Sequence, residues 1–103
     1  MVQLRGFMLD ISGTLHVDYV PTPGAVAALA RLRQSGVQVR FVTNSTKISD
    51  NELHARLRQM GFAVGEGEVF SSLSAAKQLV VQRGLRPLLL LEDGALAQFG
   101  DVP

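Results

Sequence analysis

Apolar positions recur along this chain in two alternating rhythms. Phe7-Met8-Leu9 is a short apolar run that stops at Asp10, and Gly13 follows, so it reads as a buried strand ended by a turn. After Thr22-Pro23-Gly24 the spacing changes. Val26, Leu29, Ala30 and Leu32 recur at helical intervals, with Thr22 as the expected N-cap, Pro23 in the first helical position and Gly36 as the C-terminal stop. Val37 to Val42 is rich in β-branched residues and ends at Thr43-Asn44, which predicts a second strand. Ser49 with Glu52 three residues on predicts a capping box, opening a helix that turns Leu53, Leu57 and Met60 inward and closes at Gly61. Val69-Phe70 reads as a short third strand. Ser72 or Ser74 is expected to cap a helix that ends near Arg83, before Gly84. Leu88 to Leu91 reads as a fourth strand, with Glu92-Asp93-Gly94 as its turn.

The predicted order is β-α-β-α-β-α-β. Strands alternating with helices of this length require right-handed crossovers and a mostly parallel sheet. The expected fold is therefore α/β, a partial Rossmann-like sheet of three to four strands with flanking helices. No internal repeat or low-complexity stretch divides residues 1–103, so they read as one unit. A doubly wound sheet usually has more strands than this, and the sequence ends at Val102-Pro103 soon after the fourth, so later core strands are expected to lie outside it. An unfinished sheet edge would be adhesive, which predicts self-association or docking of another protein.

Composition narrows the function classes. Hydrophobic residues make up 47% of the chain, which excludes disorder, and charged residues only 18%, which favours buried strands or an apolar contact surface. A net charge of +1 gives no electrostatic case for nucleic acid or for an acidic membrane. The absence of cysteine excludes disulfides, thiolate chemistry and Cys-based zinc sites. No apolar run, Leu88 to Leu91 included, is long enough to span a bilayer, and Met1-Val2-Gln3-Leu4-Arg5 does not begin a signal peptide. The expected compartment is the cytoplasm.

Open parallel sheets bind ligands at the carboxyl ends of their strands. The first strand ends Asp10-Ile11-Ser12-Gly13-Thr14-Leu15, and the second Thr43-Asn44-Ser45-Thr46-Lys47. With the two strands adjacent, these ends would be neighbours. A carboxylate fixed directly after a buried strand can attack phosphorus and form an aspartyl-phosphate, which nominates Asp10. Gly13 permits a sharp turn in which main-chain N–H groups can cradle phosphate oxygens. Thr43 supplies a hydroxyl. The Asp10 carboxylate can also ligate Mg²⁺, a hard cation that prefers oxygen and offsets the repulsion between a carboxylate and an anionic substrate. Lys47 could attract an anion, although a solvated loop lysine serves as well. His16 could shape the entrance, though a plain loop histidine is the simpler reading, and His54 is expected on the surface. A dinucleotide-binding reading has little support, because no G-x-G-x-x-G follows the first strand.

Leu9-Asp10-Ile11-Ser12-Gly13-Thr14-Leu15 resembles the first motif of the haloacid-dehalogenase superfamily, usually D-x-D-G-T. Phe41-Val42-Thr43-Asn44-Ser45 resembles its second motif, a hydrophobic strand ending in Ser or Thr. The likeness runs through nearly all 103 residues. It implies a Mg²⁺-dependent phosphatase core acting on a small phosphorylated substrate or phosphoamino acid. Asp10 would be the nucleophile and a metal ligand, and Ser12 would offer its main-chain carbonyl to the metal. Thr43 and the Asn44 backbone would hold the phosphoryl group beside Ser12 and Gly13. Two departures stand out. Ser12 occupies the position of the usual acid–base aspartate. The family's later lysine, its later acidic metal ligands and its cap domain would all lie beyond Pro103. The expectation is a chain with little catalysis by itself; the competing reading is a non-catalytic product that binds another protein.

Overall fold

The computed structural model describes residues 3–102. Met1 and Val2 of the start read above, and Pro103 of the end, lie outside the described residues. The elements are β1 (Gly6–Asp10), β2 (His16–Val17), β3 (Val20–Pro21), α1 (Ala25–Gln34), β4 (Gln38–Thr43), α2 (Asp50–Gln59), β5 (Val69–Ser71), α3 (Ser72–Gln82) and α4 (Asp93–Leu96), with a 3₁₀ turn over Ala97–Phe99. β1, β4 and β5 form a parallel sheet in that spatial order, so the fold is α/β as expected.

The sheet buries one face and leaves the other open. Leu9 pairs with Phe41 and Phe41 with Val69 across the three strands, and Phe7 pairs with Val39. Leu9, Val39, Phe41 and Val69 pack with Leu29 of α1 and Leu53 and Leu57 of α2, in a core completed by Ile11, Leu15, Phe62 and Val64. Two crossovers advancing in the same direction place both helices on the same face. The alternate residues are left outside: Met8 is 79% exposed, Arg40 beside it is exposed, and Phe70 is 45% exposed. A second cluster, Leu73, Ala95 and Phe99 with Leu89, Leu91 and Val102, joins α3 to the C-terminal segment.

Several expected details change. Leu88 to Leu91 is not a strand, so the parallel sheet has three. The segment makes no ladder with β5; it lies with Leu89 and Leu91 against the second cluster, while Leu88 and Leu90 stand 87% and 85% exposed. Glu92-Asp93-Gly94 does not merely turn: Glu92 is the N-cap of α4. α1 begins at Ala25 rather than Pro23, with Gly24 at its N-cap in the left-handed region. Thr22 does not cap it with its side chain, because its hydroxyl donates to the Thr14 carbonyl at 3.0 Å. Ala30 is exposed, whereas Val26, Leu29 and Leu32 pack inward. Ser49 caps α2 by accepting the Glu52 N–H, yet the Glu52 carboxylate turns to Arg56 instead of returning to Ser49, so only half the box forms. The cap of α3 is Ser71, with Ser74 its reciprocal partner. The β2–β3 hairpin was not foreseen. Its two turn residues, Asp18 (φ 48°) and Tyr19 (φ 65°), are both left-handed, as a tight two-residue hairpin requires.

Candidate active site

Parallel pairing brings three strand ends to one edge. Asp10 is in register with Val42, so Thr43 lies one residue beyond it, and Thr43 is in register with Ser71. The chain leaves β1 in a tight loop. The Ile11 carbonyl accepts the N–H groups of both Thr14 and Leu15, at 3.1 and 2.8 Å, and Gly13 takes φ 83°, which a side chain would resist. Buried Ile11 and Leu15 anchor the loop in the core while Asp10, Ser12, Gly13 and Thr14 stay exposed. Thr14 Oγ1 donates to Asp10 Oδ2 at 2.9 Å, fixing the carboxylate; among the described residues Oδ1 accepts no hydrogen bond.

The loop after β4 is held from two sides. Ser72, in the first turn of α3, donates to the carbonyls of Asn44 and Ser45 at 3.2 and 3.3 Å. Gly94 approaches so closely that a Cβ there would sit 2.8 Å from the Lys47 carbonyl oxygen, and its own carbonyl accepts the Ser49 N–H at 2.9 Å. The Ser45 N–H bonds to Thr43 Oγ1 at 3.1 Å. The Gly13 N–H is committed to the His16 carbonyl at 2.9 Å, so Gly13 contributes the shape of the turn. The N–H groups of Ser12 and Asn44 make no hydrogen bond among the described residues.

Ser12, Thr43, Ser45 and Lys47 share a cavity of about 340 Å³ with His16, Asp18, Tyr19 and Arg56, floored by Ile11, Ile48, Leu53 and Met60. Asp10, Gly13 and Asn44 are exposed and do not line it. Sequence reasoning missed Tyr19, Arg56, Ser72 and Gly94, whose contributions depend on contacts between distant segments. His16 sits in a strand rather than a plain loop, and its Nδ1 is buried without a partner among the described residues. His54 is half-buried rather than on the surface, with Nε2 likewise unpartnered. Next to the site, Asp50 accepts from the hydroxyls of Ser71, at 2.5 Å, and Ser74, tying α2 to α3. Desolvation raises the Asp50 pKa, against the opposing hydrogen bond from Ser71 and the charge of Lys77.

The described residues contain no group of three or more His, Asp or Glu able to hold a metal. At the strand ends they offer the exposed Asp10 carboxylate and the oxygen-rich loop beside it, and Asp18 adds a carboxylate on the cavity wall. This set suits a hard cation that keeps several of its waters.

The profile of haloacid dehalogenase-like hydrolases matches residues 7–102. Haloacid dehalogenase-like hydrolase domain-containing protein 2 of Rattus norvegicus is 50% identical over 99 residues, covering 96% of this chain and 38% of that protein. Phospholysine phosphohistidine inorganic pyrophosphate phosphatase of the same species is 41% identical over 103 residues, with the same two coverages. Among solved structures, the glycerol phosphate phosphatase of Mycobacterium tuberculosis in complex with magnesium superposes with a TM-score of 0.78 at 27% identity, covering 96% of this chain and 30% of that one. The chain thus spans well under half the length of the curated relatives it matches. With both strand-end motifs inside the matched span, the chain belongs to the haloacid dehalogenase-like hydrolase family.

Proposed function

We propose that residues 1–103 are the N-terminal part of a phosphatase core, carrying the nucleophile and phosphate-holding half of a Mg²⁺-dependent site that acts on small phosphorylated molecules or phosphoamino acids in the cytoplasm. The observation that carries this reading is the register of β1 and β4, which sets Asp10 and Thr43 at adjacent strand ends inside the matched family span. Asp10 attacks phosphorus through a carboxylate oxygen, and the bond to the leaving group breaks with its electron pair departing on that group. Water then attacks the aspartyl-phosphate and restores the carboxylate. Thr43 Oγ1 and the free N–H groups of Ser12 and Asn44 hold the phosphoryl oxygens, while Gly13 gives the loop its turn. The Asp10 carboxylate and the Ser12 carbonyl would hold Mg²⁺, whose charge draws density from the phosphoryl oxygens. Thr14, by donating to Oδ2, keeps the carboxylate oriented.

The chain alone is expected to turn over little substrate, since the described residues bring together no group of three or more acidic or histidine side chains to hold the metal. The test compares p-nitrophenyl phosphate hydrolysis by the 103-residue chain with hydrolysis by a chimera. In the chimera the chain replaces the matched segment of the rat phospholysine phosphohistidine inorganic pyrophosphate phosphatase. Mg²⁺-dependent turnover in the chimera and almost none in the chain is the expected outcome. Comparable turnover by the chain alone would overturn the half-site reading, and a folded but inert chimera would overturn the phosphatase reading.

A second reading is favoured by the open sheet face, where Met8 and Phe70 meet solvent: the chain acts without catalysis, by binding another protein there.

A further inference from the structure

Tyr19, at the tip of the β2–β3 hairpin, is 60% exposed yet held by three contacts. Its ring stacks on His16, centroids 6.2 Å apart and planes 11° from parallel. The Arg56 guanidinium lies over the ring at 5.1 Å, and Arg56 Nη1 donates to the phenol oxygen. Arg56 Nη2 in turn donates to Glu52 one turn earlier on α2, at 2.7 Å, which fixes the guanidinium. Left-handed residues of this kind persist only where the surroundings hold them.

The hairpin does not stand apart from the nucleophile loop. Its His16 carbonyl takes the Gly13 N–H at 2.9 Å, and the Thr22 N–H returns to the Leu15 carbonyl at 2.8 Å. Thr22 Oγ1 adds a bond to the Thr14 carbonyl, and Thr14 is the residue that orients Asp10. A continuous chain of contacts therefore runs from α2 through the hairpin to the loop carrying Asp10 and Ser12, along the wall of the cavity shared by Ser12, Thr43, Tyr19 and Arg56.

We propose that Arg56 is a positioning residue for the phosphoryl site: by gripping Tyr19 it holds the hairpin, and through it the Asp10–Leu15 loop, in the shape that receives phosphate. The inference rests on the phosphate-site reading above and extends it to a residue outside both strand-end motifs. Neither the stack on His16 nor the left-handed turn fixes the hairpin against the body of the fold. Arg56 joins it to α2, which the core holds through Leu53 and Leu57.

The test uses the ¹⁵N-labelled 103-residue chain. Arg56→Ala is expected to speed exchange of the Gly13 and Thr22 amides roughly tenfold or more, while the Phe41 amide, bonded to the Glu68 carbonyl in the sheet, keeps its protection. Arg58→Ala is the control. Arg58 lies on the same helix but bonds the Val64 carbonyl, so losing it should leave Gly13 and Thr22 unchanged. Arg56→Lys, which keeps the cation and loses the fork, should fall between. Tyr19 is the one tyrosine and there is no tryptophan, so its fluorescence reports the grip directly and should shift toward that of free tyrosine in Arg56→Ala, with the His16 stack still present. Titration of inorganic phosphate with Mg²⁺, read at the Ser12 and Asn44 amides, should need roughly tenfold more phosphate in Arg56→Ala. Unchanged Gly13 and Thr22 exchange would overturn the proposal, as would faster exchange with an unaltered phosphate response. A wild-type chain whose Ser12 and Asn44 amides ignore phosphate would overturn the underlying site reading, and the positioning role with it; failure of the inference alone shows only in the variant.

Discussion

In the proposed phosphatase site, the serine at position 12 would set which substrates are favoured. An aspartate there would protonate the leaving group; a hydroxyl is a poor acid near neutral pH, and general acid help is worth about a hundredfold to ten-thousandfold. Substrates with good leaving groups, such as acyl and aryl phosphates, pyrophosphate and P–N bonds, should therefore react faster than alkyl phosphates. In the chimera, kcat/KM across phosphate esters of graded leaving-group pKa should fall steeply with Ser12 and more gently after Ser12→Asp. Equal slopes would mean that another group already supplies the proton. The placement of Asp10, Ser12 and Thr43 at neighbouring strand ends was legible in the sequence because each ends or follows a strand and the motif fixes their spacing. The commitment of the Gly13 N–H to His16 was not, because it depends on a hairpin whose turn residues, Asp18 and Tyr19, lack the glycine that marks such turns.

The elements were legible where one pattern sufficed. Helical spacing gave α1 and α2, and β-branched density gave β4. The pattern erred where a partner decided the outcome. Leu88 to Leu91 has the composition of a buried strand, but no strand among the described residues pairs with it, and Leu88 and Leu90 remain in solvent. The packing of α1 against the turn before β5 was equally invisible. Arg33 of α1 grips both oxygens of Glu68, with Nη1 at 3.1 Å from Oε2, and the Gly65 N–H donates to the same carboxylate at 2.6 Å. The hydrogen bond from Arg33 is the main cause that lowers the Glu68 pKa, helped by Gly65 and the nearby arginine charges and opposed by burial. A carboxyl with a lowered folded pKa stabilises fully above its unfolded pKa and loses that contribution as pH falls through the folded one. Glu68→Gln should thus cost about 1–3 kcal/mol near neutrality. The difference should shrink below about pH 4. Asp50, with its raised pKa, works in the opposite sense as acid is added, so the comparison is between wild type and variant at each pH. Denaturant unfolding near neutrality and in acid checks this; a pH-independent difference would contradict it.

At the scale of the whole molecule, the fold is a slab. Its extents are 44 × 35 × 19 Å, and its radius of gyration of 15.2 Å exceeds the roughly 13 Å of a compact chain this size. Its accessible surface of 7170 Å² compares with about 5,700 Å² for a compact protein of 11.1 kDa. The excess is well above the roughly 800 Å² that each partner buries in a standard protein–protein interface. Parallel sheets are normally covered on both faces, and here helices cover the Leu9–Phe41–Val69 face alone. The chain should therefore self-associate through the Met8–Phe70 face or the free edge of β1, with sedimentation showing a mass that rises with concentration. Met8→Lys should reduce the association while leaving the buried core intact; an ordinary monomer at all concentrations would contradict the proposal.

In the proposed mechanism Asp10 receives the phosphoryl group. The direct measurement is acid-quenched mass spectrometry of the chimera during turnover of pyrophosphate with Mg²⁺, followed by borohydride trapping and peptide mapping. One added phosphoryl group is expected on the acid-quenched intact protein, and homoserine in place of Asp10 in the mapped peptide after borohydride reduction, both absent without Mg²⁺ and absent in Asp10→Asn, whose amide cannot form the acyl phosphate. A phosphoryl group retained in Asp10→Asn, or found on any other residue, would contradict it.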